Sequence, residues 1–75
     1  MTLSMSSYRV KLSLTGNRQL RRCWEICECS INGVVRRVIA RTPVVIGEGD
    51  KQDEALALAK AEAMRMLAAF RAMST

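Results

Sequence analysis

Asn32-Gly33 stands between two strand-like runs, residues 21–31 and 34–42. In that setting the pair predicts a two-residue type I′ hairpin turn, because both turn positions need positive φ. Such a turn fixes the register: Ile31 faces Val34, and paired residue numbers sum to 65. Glu28 then faces Arg37, Ile26 faces Ile39 and Trp24 faces Arg41. These are a charge pair, a β-branched pair and a cation–π pair, all favourable across strands. The opposite face pairs Cys29 with Arg36 and Cys27 with Val38.

Both faces of this hairpin are apolar. Trp24, Ile26, Val35 and Ile39 lie on one, and Cys23, Cys27, Cys29, Ile31, Val34, Val38 and Ala40 on the other. A single helix covers one face of a sheet. The second face then calls for a tail, a second chain or a ligand. Periodicity leaves open which face the helix takes.

Upstream, residues 8–14 alternate without a break and predict a half-buried strand, with Tyr8, Val10, Leu12 and Leu14 on one side. Thr15-Gly16-Asn17 is turn chemistry. Residues 1–7 are expected to be a disordered tail and residues 8–73 a single domain. Downstream, Pro43 ends the third strand because it cannot donate to a ladder. Val44-Val45-Ile46 predicts a short edge strand, and Gly47-Glu48-Gly49 a flexible connection. Asp50 is the expected N-cap of a helix over 51–73, which contains no glycine or proline. Its apolar face is Leu56, Ala59, Ala63, Met66, Leu67, Phe70 and Met73. A helix of that length outruns a seven-residue strand, so Phe70 and Met73 are expected to overhang the sheet. The fold class predicted is α+β: a three-stranded antiparallel meander followed by one long helix on one face (βββα).

The chain of 75 residues carries a formal charge of +5 and no histidine. The excess sits in one half. Residues 1–46 hold eight basic and two acidic residues, and residues 47–75 hold four basic and five acidic ones. Arg9, Lys11, Arg18, Arg21, Arg22 and Arg36 make up the expected basic surface. Arginine's planar fork suits carboxylate or phosphate.

Catalysis and metal binding find little to work with. General acid–base chemistry without histidine falls to Glu, Asp, Lys, Tyr or Cys. Glu25 and Glu28 have opposite parity on one strand, so they point to opposite faces. No catalytic residue, cofactor site or small-molecule substrate is predicted, and the chain reads as a non-enzyme. Structural zinc wants four ligands, and C-x3-C with C-x-C falls short of that within one chain. The cysteines read instead as small buried hydrophobes. Met1 to Ser7 lacks a basic segment followed by an apolar one, and no run reaches the roughly 20 apolar residues of a membrane span. A cytoplasmic location with reduced cysteines is the expectation.

The order β-β-β-α, with Gly47-Glu48-Gly49-Asp50-Lys51-Gln52-Asp53-Glu54-Ala55 leading into an alanine-rich helix, resembles the C-terminal part of the double-stranded RNA-binding domain. The likeness covers residues 20–70. It implies three antiparallel strands, a glycine-rich connection and a helix whose start meets phosphates. Two departures stand out. No first helix precedes Tyr8, and the family's lysine cluster is reduced to Lys51 beside Asp53 and Glu54. The format is also similar to that of small phage-encoded inhibitor proteins.

Two functions follow from these residues. The first is a protein-interaction module, an adaptor or inhibitor acting as a homodimer on a partner with an acidic surface. Its hot-spot patch would be Trp24, Ile26, Val35, Arg37, Ile39 and Arg41. The second is nucleic-acid binding through the arginine-rich sheet. Exposure of Trp24 discriminates them: if the helix covers it, the patch disappears and the cysteine face is left to a partner.

Overall fold

The computed structural model describes residues 7–16 and 18–73. Of the expected tail, only Ser7 is among them, and it opens β1 (Ser7–Gly16). β2 (Leu20–Cys29), β3 (Val35–Arg41), β4 (Val45–Ile46) and α1 (Asp50–Met73) follow. The sheet order is β1-β2-β3, all antiparallel, and β4 pairs with β2 beyond the end of β3. This is the predicted βββα arrangement, and the short strand expected at 44–46 is present as the two-residue β4.

β1 and β2 pair in an unbroken register from Ser7↔Cys29 to Gly16↔Leu20. The alternation of residues 8–14 explains it, since one face must be buried and a one-residue slip would expose it. Each strand is ten residues long, about 33 Å, against about 36 Å for the 24 residues of α1. That near-match corrects the expected overhang. Phe70 lies over the sheet and stacks on Tyr8, with ring centroids 5.9 Å apart, whereas Met73 stays 77% exposed.

The β2–β3 connection differs from a two-residue turn. Gly33 N donates to Ser30 O (2.9 Å), and Ser30 N donates to Val34 O (2.8 Å). Of the two central residues only Gly33 has positive φ, +81°. The loop is therefore three residues, Ile31, Asn32 and Gly33, closed by a glycine in the left-handed region. The register starts one residue off the expectation and then shifts twice. Cys29 faces Val35, Glu28 faces Arg37, Cys27 faces Val38 and Ile26 faces Ala40, so Arg36 and Ile39 are the extra, bulged residues. The Glu28–Arg37 and Cys27–Val38 pairs stand, and the Trp24–Arg41 pair does not. The doublets Arg36-Arg37 and Val38-Ile39 fall at these two bulges. Gly33→Ala is expected to cost about 1–2 kcal/mol through backbone strain alone. The nearest atom to an added Cβ, Arg9 Nη2 at 3.6 Å, leaves space for it. A thermal melt within error of wild type would contradict that assignment of the turn.

Pro43 breaks the far edge as expected, and Thr42 repairs it. Thr42 N donates to Trp24 O (2.9 Å), while Trp24 N donates to Thr42 Oγ1 (2.9 Å) in place of a backbone carbonyl. At the helix start, Gly49 O accepts the first helical bond from Asp53 N (2.8 Å). Gly49 with φ +125° is therefore the cap, and Asp50 belongs to the first turn.

The helix covers the even-numbered face of β2. Ile26, Ala63 and Leu67 form the buried centre, ringed by Tyr8, Val10, Trp24, Ile39, Ala40, Met66 and Phe70. No helix among the described residues is long and apolar enough to cross a membrane. The radius of gyration is 14.1 Å, against about 11 Å for a compact chain of this length. The described residues form an elongated two-layer slab, and none of them lays a further layer over the second sheet face.

Candidate functional site

Alternation along β1 and β2 decides what the open face carries. β1 contributes Ser7, Arg9, Lys11, Ser13 and Thr15, and β2 contributes Arg21, Cys23, Glu25, Cys27 and Cys29. The cross-strand rows read Arg9–Cys27–Val38, Lys11–Glu25–Arg41 and Thr15–Arg21–Ile46. The face thus holds four cations and one carboxylate. Glu25 is 7% exposed and accepts from Arg41 Nε at 2.7 Å. That hydrogen bond, with the carboxylate's charge, raises the Arg41 pKa above its ordinary value. Arg9, Lys11 and Arg21 form no salt bridge among the described residues.

Cys23, Cys27 and Cys29 are buried although no second layer among the described residues covers them. They occupy the middle strand, and longer neighbours flank them. Arg9 reaches the β2–β3 turn from its place opposite Cys27, a path along the cysteine row. Burial pushes the Cys27 thiol above its ordinary value of 9.0, and Glu25 adds to the shift. Lys11 and Arg9 oppose it. These are unbridged thiols, and among the described residues no three His, Cys, Asp or Glu side chains group to hold a metal.

A raised folded pKa gives a signed prediction. The contribution of Cys27 is complete below the unfolded thiol value and is lost as pH climbs through the folded one, because the unfolded thiol ionises first. The stability advantage of wild type over Cys27→Ala should therefore shrink as denaturant melts move from neutral pH to beyond about pH 9. A constant difference across that range would contradict it.

The expected hot-spot patch is not brought together. Ile26 is fully buried beneath α1. Trp24 is half-buried on the same side, its indole Nε1 donating to Leu56 O (3.0 Å) and Lys60 Nζ lying 5.0 Å from its ring centroid. Lys60 thus takes the cation–π role expected of Arg41. Ile39 packs against the core, and Arg37 bonds Glu28 at 3.4 Å on the helix side. Val35 and Arg41 belong to the open face. The bulges and the helix together divide the six residues.

The basic surface divides less. Arg9, Lys11 and Arg21 share the open face, exposed Arg36 sits at a bulge, and exposed Arg18 lies with Arg21 along an open cleft where β1 meets β2. Arg22 has the other parity and is structural. It bonds Asp53 (3.2 Å) and Gly47 O (3.1 Å), tying the start of α1 to the sheet. The exposed apolar residues Val35, Val38 and Ile46 join the open face from β3 and β4, at 38–48% exposure. Their place there depends on bulge positions that strand alternation does not give.

Compared with models of protein families, with curated proteins and with solved structures, the chain shows no match.

Proposed function

We propose that this protein is a small non-enzymatic binding module that engages an acidic protein surface with the open face of its sheet. One observation carries the reading: Arg9, Lys11, Arg21 and Arg41 share a face that no described element covers, and its single carboxylate, Glu25, is already bonded by Arg41. Exposed Val35, Val38 and Ile46 interleave with these cations. Apolar contacts mixed with arginine suit a protein interface.

Two features weigh against nucleic acid as the partner. The aromatic residues Tyr8, Trp24 and Phe70 all lie on the helix side, so the open face offers no rings on which bases could stack. The start of α1 carries Asp50, Asp53 and Glu54, which would repel a phosphate backbone there.

The test is affinity capture from a lysate with and without nuclease, followed by purified binding. Retention of acidic proteins that survives nuclease and weakens with salt is the expected result. Retention that nuclease abolishes would replace this reading with nucleic-acid binding.

A further inference from the structure

The two edges of the sheet are built differently. The β3 edge carries two bulges and is interrupted by Pro43, the standard means of blocking further strand pairing. β1, the opposite edge, runs ten residues in uniform register, with neither bulge nor proline. No described residue pairs with its outer side along the ladder. At one end a side chain intervenes, where Arg71 Nη2 donates to Tyr8 O at 3.4 Å. Beyond it, Leu12 and Leu14 are 36% and 63% exposed on the helix side. A straight edge with exposed leucines is a template for another strand.

We propose that the occupant is a second copy of this chain, its β1 paired antiparallel to the first about a twofold axis at Leu12. Side-chain matching favours that register, and it pairs more of β1 than an axis moved on to Ser13 would. With Leu12 facing Leu12 of the second copy, Val10 faces Leu14, Lys11 faces Ser13 and Arg9 faces Thr15. Apolar residues meet apolar residues, and both cations meet neutral hydroxyls. Centring on Val10 would set Arg9 against Lys11, and centring on Lys11 would set it against itself. Like charges directly opposed are destabilising. Edge lysines usually block pairing, but in the chosen register Lys11 and Arg9 avoid their counterparts. Residues of one parity stay on one face, so the two open faces join into a continuous basic surface. The inference gives the binding module its assembly and rests on the edge geometry alone. The binding reading could therefore fail while this one stands.

Sedimentation velocity on the full chain at high micromolar concentration tests it. Wild type should sediment at about twice the 8.4 kDa monomer mass. Leu12→Lys puts two ammonium groups on the twofold axis and should give a monomer whose circular dichroism matches wild type. Ser13→Glu, facing Lys11 of the second copy, should tighten the dimer by about threefold or more, and Ser13→Lys should weaken it by a similar factor. A monomeric wild type would overturn the proposal, as would an unaltered dimer in folded Leu12→Lys. If Leu12→Lys fails to fold, the Ser13 pair decides: opposite shifts support the register, and any other pattern overturns it.

Discussion

Ile26→Ala should lower the melting temperature by more than about 10 °C. Removing a buried isoleucine down to alanine costs about 2–5 kcal/mol, and each kcal/mol moves a domain of this size by about 4–8 °C. Ile26 is fully buried on the central strand and packs against Ala63 and Leu67. Those three are the buried cluster between α1 and the sheet, so the truncation opens a cavity at the centre of that contact. A 75-residue domain holds only about 4–11 kcal/mol in total, so the variant approaches the point of unfolding at physiological temperature. Ile31→Ala is the matched control. Ile31 is 72% exposed in the β2–β3 loop, and its truncation should leave the melt nearly unmoved. A shift of under about 3 °C for Ile26→Ala would mean that α1 does not lie on this face.

Arg9→Glu combined with Arg21→Glu should weaken capture of an acidic partner by about a hundredfold or more, since close interfacial charge pairs couple by about 1.5–7 kcal/mol each. Each reversal removes two positive units, taking the open face from a net +3 to −1. Lys11 is left in place because a carboxylate there would face Glu25, which is 7% exposed. The control is Lys51→Glu with Arg65→Glu on the exposed surface of α1, an equal change in total charge. Loss confined to the sheet variant assigns binding to the open face. Equal loss in both would reduce the effect to net charge, and no loss in either would remove the face from the interaction.

These predictions differ in how much of their basis is local. Period-two alternation put Arg9 and Lys11 on one side of β1 and set Glu25 opposite in direction to Glu28 on β2, but only the β1–β2 register brought Arg21 onto the face of Arg9 and Lys11. The glycine-free, alanine-rich run made α1 nearly to the residue. The divided charge of the two halves was also visible in the chain alone. The hairpin was legible in kind, because Asn32-Gly33 does sit at its turn. It was not legible in register, because a three-residue loop closed by Gly33 and a two-residue turn share the same glycine requirement.

The functional patch failed for a reason of the same type. Both hairpin faces are apolar enough to form a core, and nothing local ranks Trp24 and Ile26 above three cysteines. The choice was made by the length and direction of the connection after Pro43. Thr42 bridges the break, β4 continues along β2, and Arg22 fastens Gly47 and Asp53, so α1 returns across the even-numbered side.

The sequence by itself determined the strands, the helix, the turn position and the half of the chain that carries the excess charge, because each depends on residues within a few positions of one another. The tertiary structure alone decided which face is core and which is open, where the two bulges fall, and that one sheet edge is blunted while no described residue pairs along the outer side of β1. Those depend on distant segments competing for the same surface, and with apolar residues on both hairpin faces the local pattern does not rank one above the other.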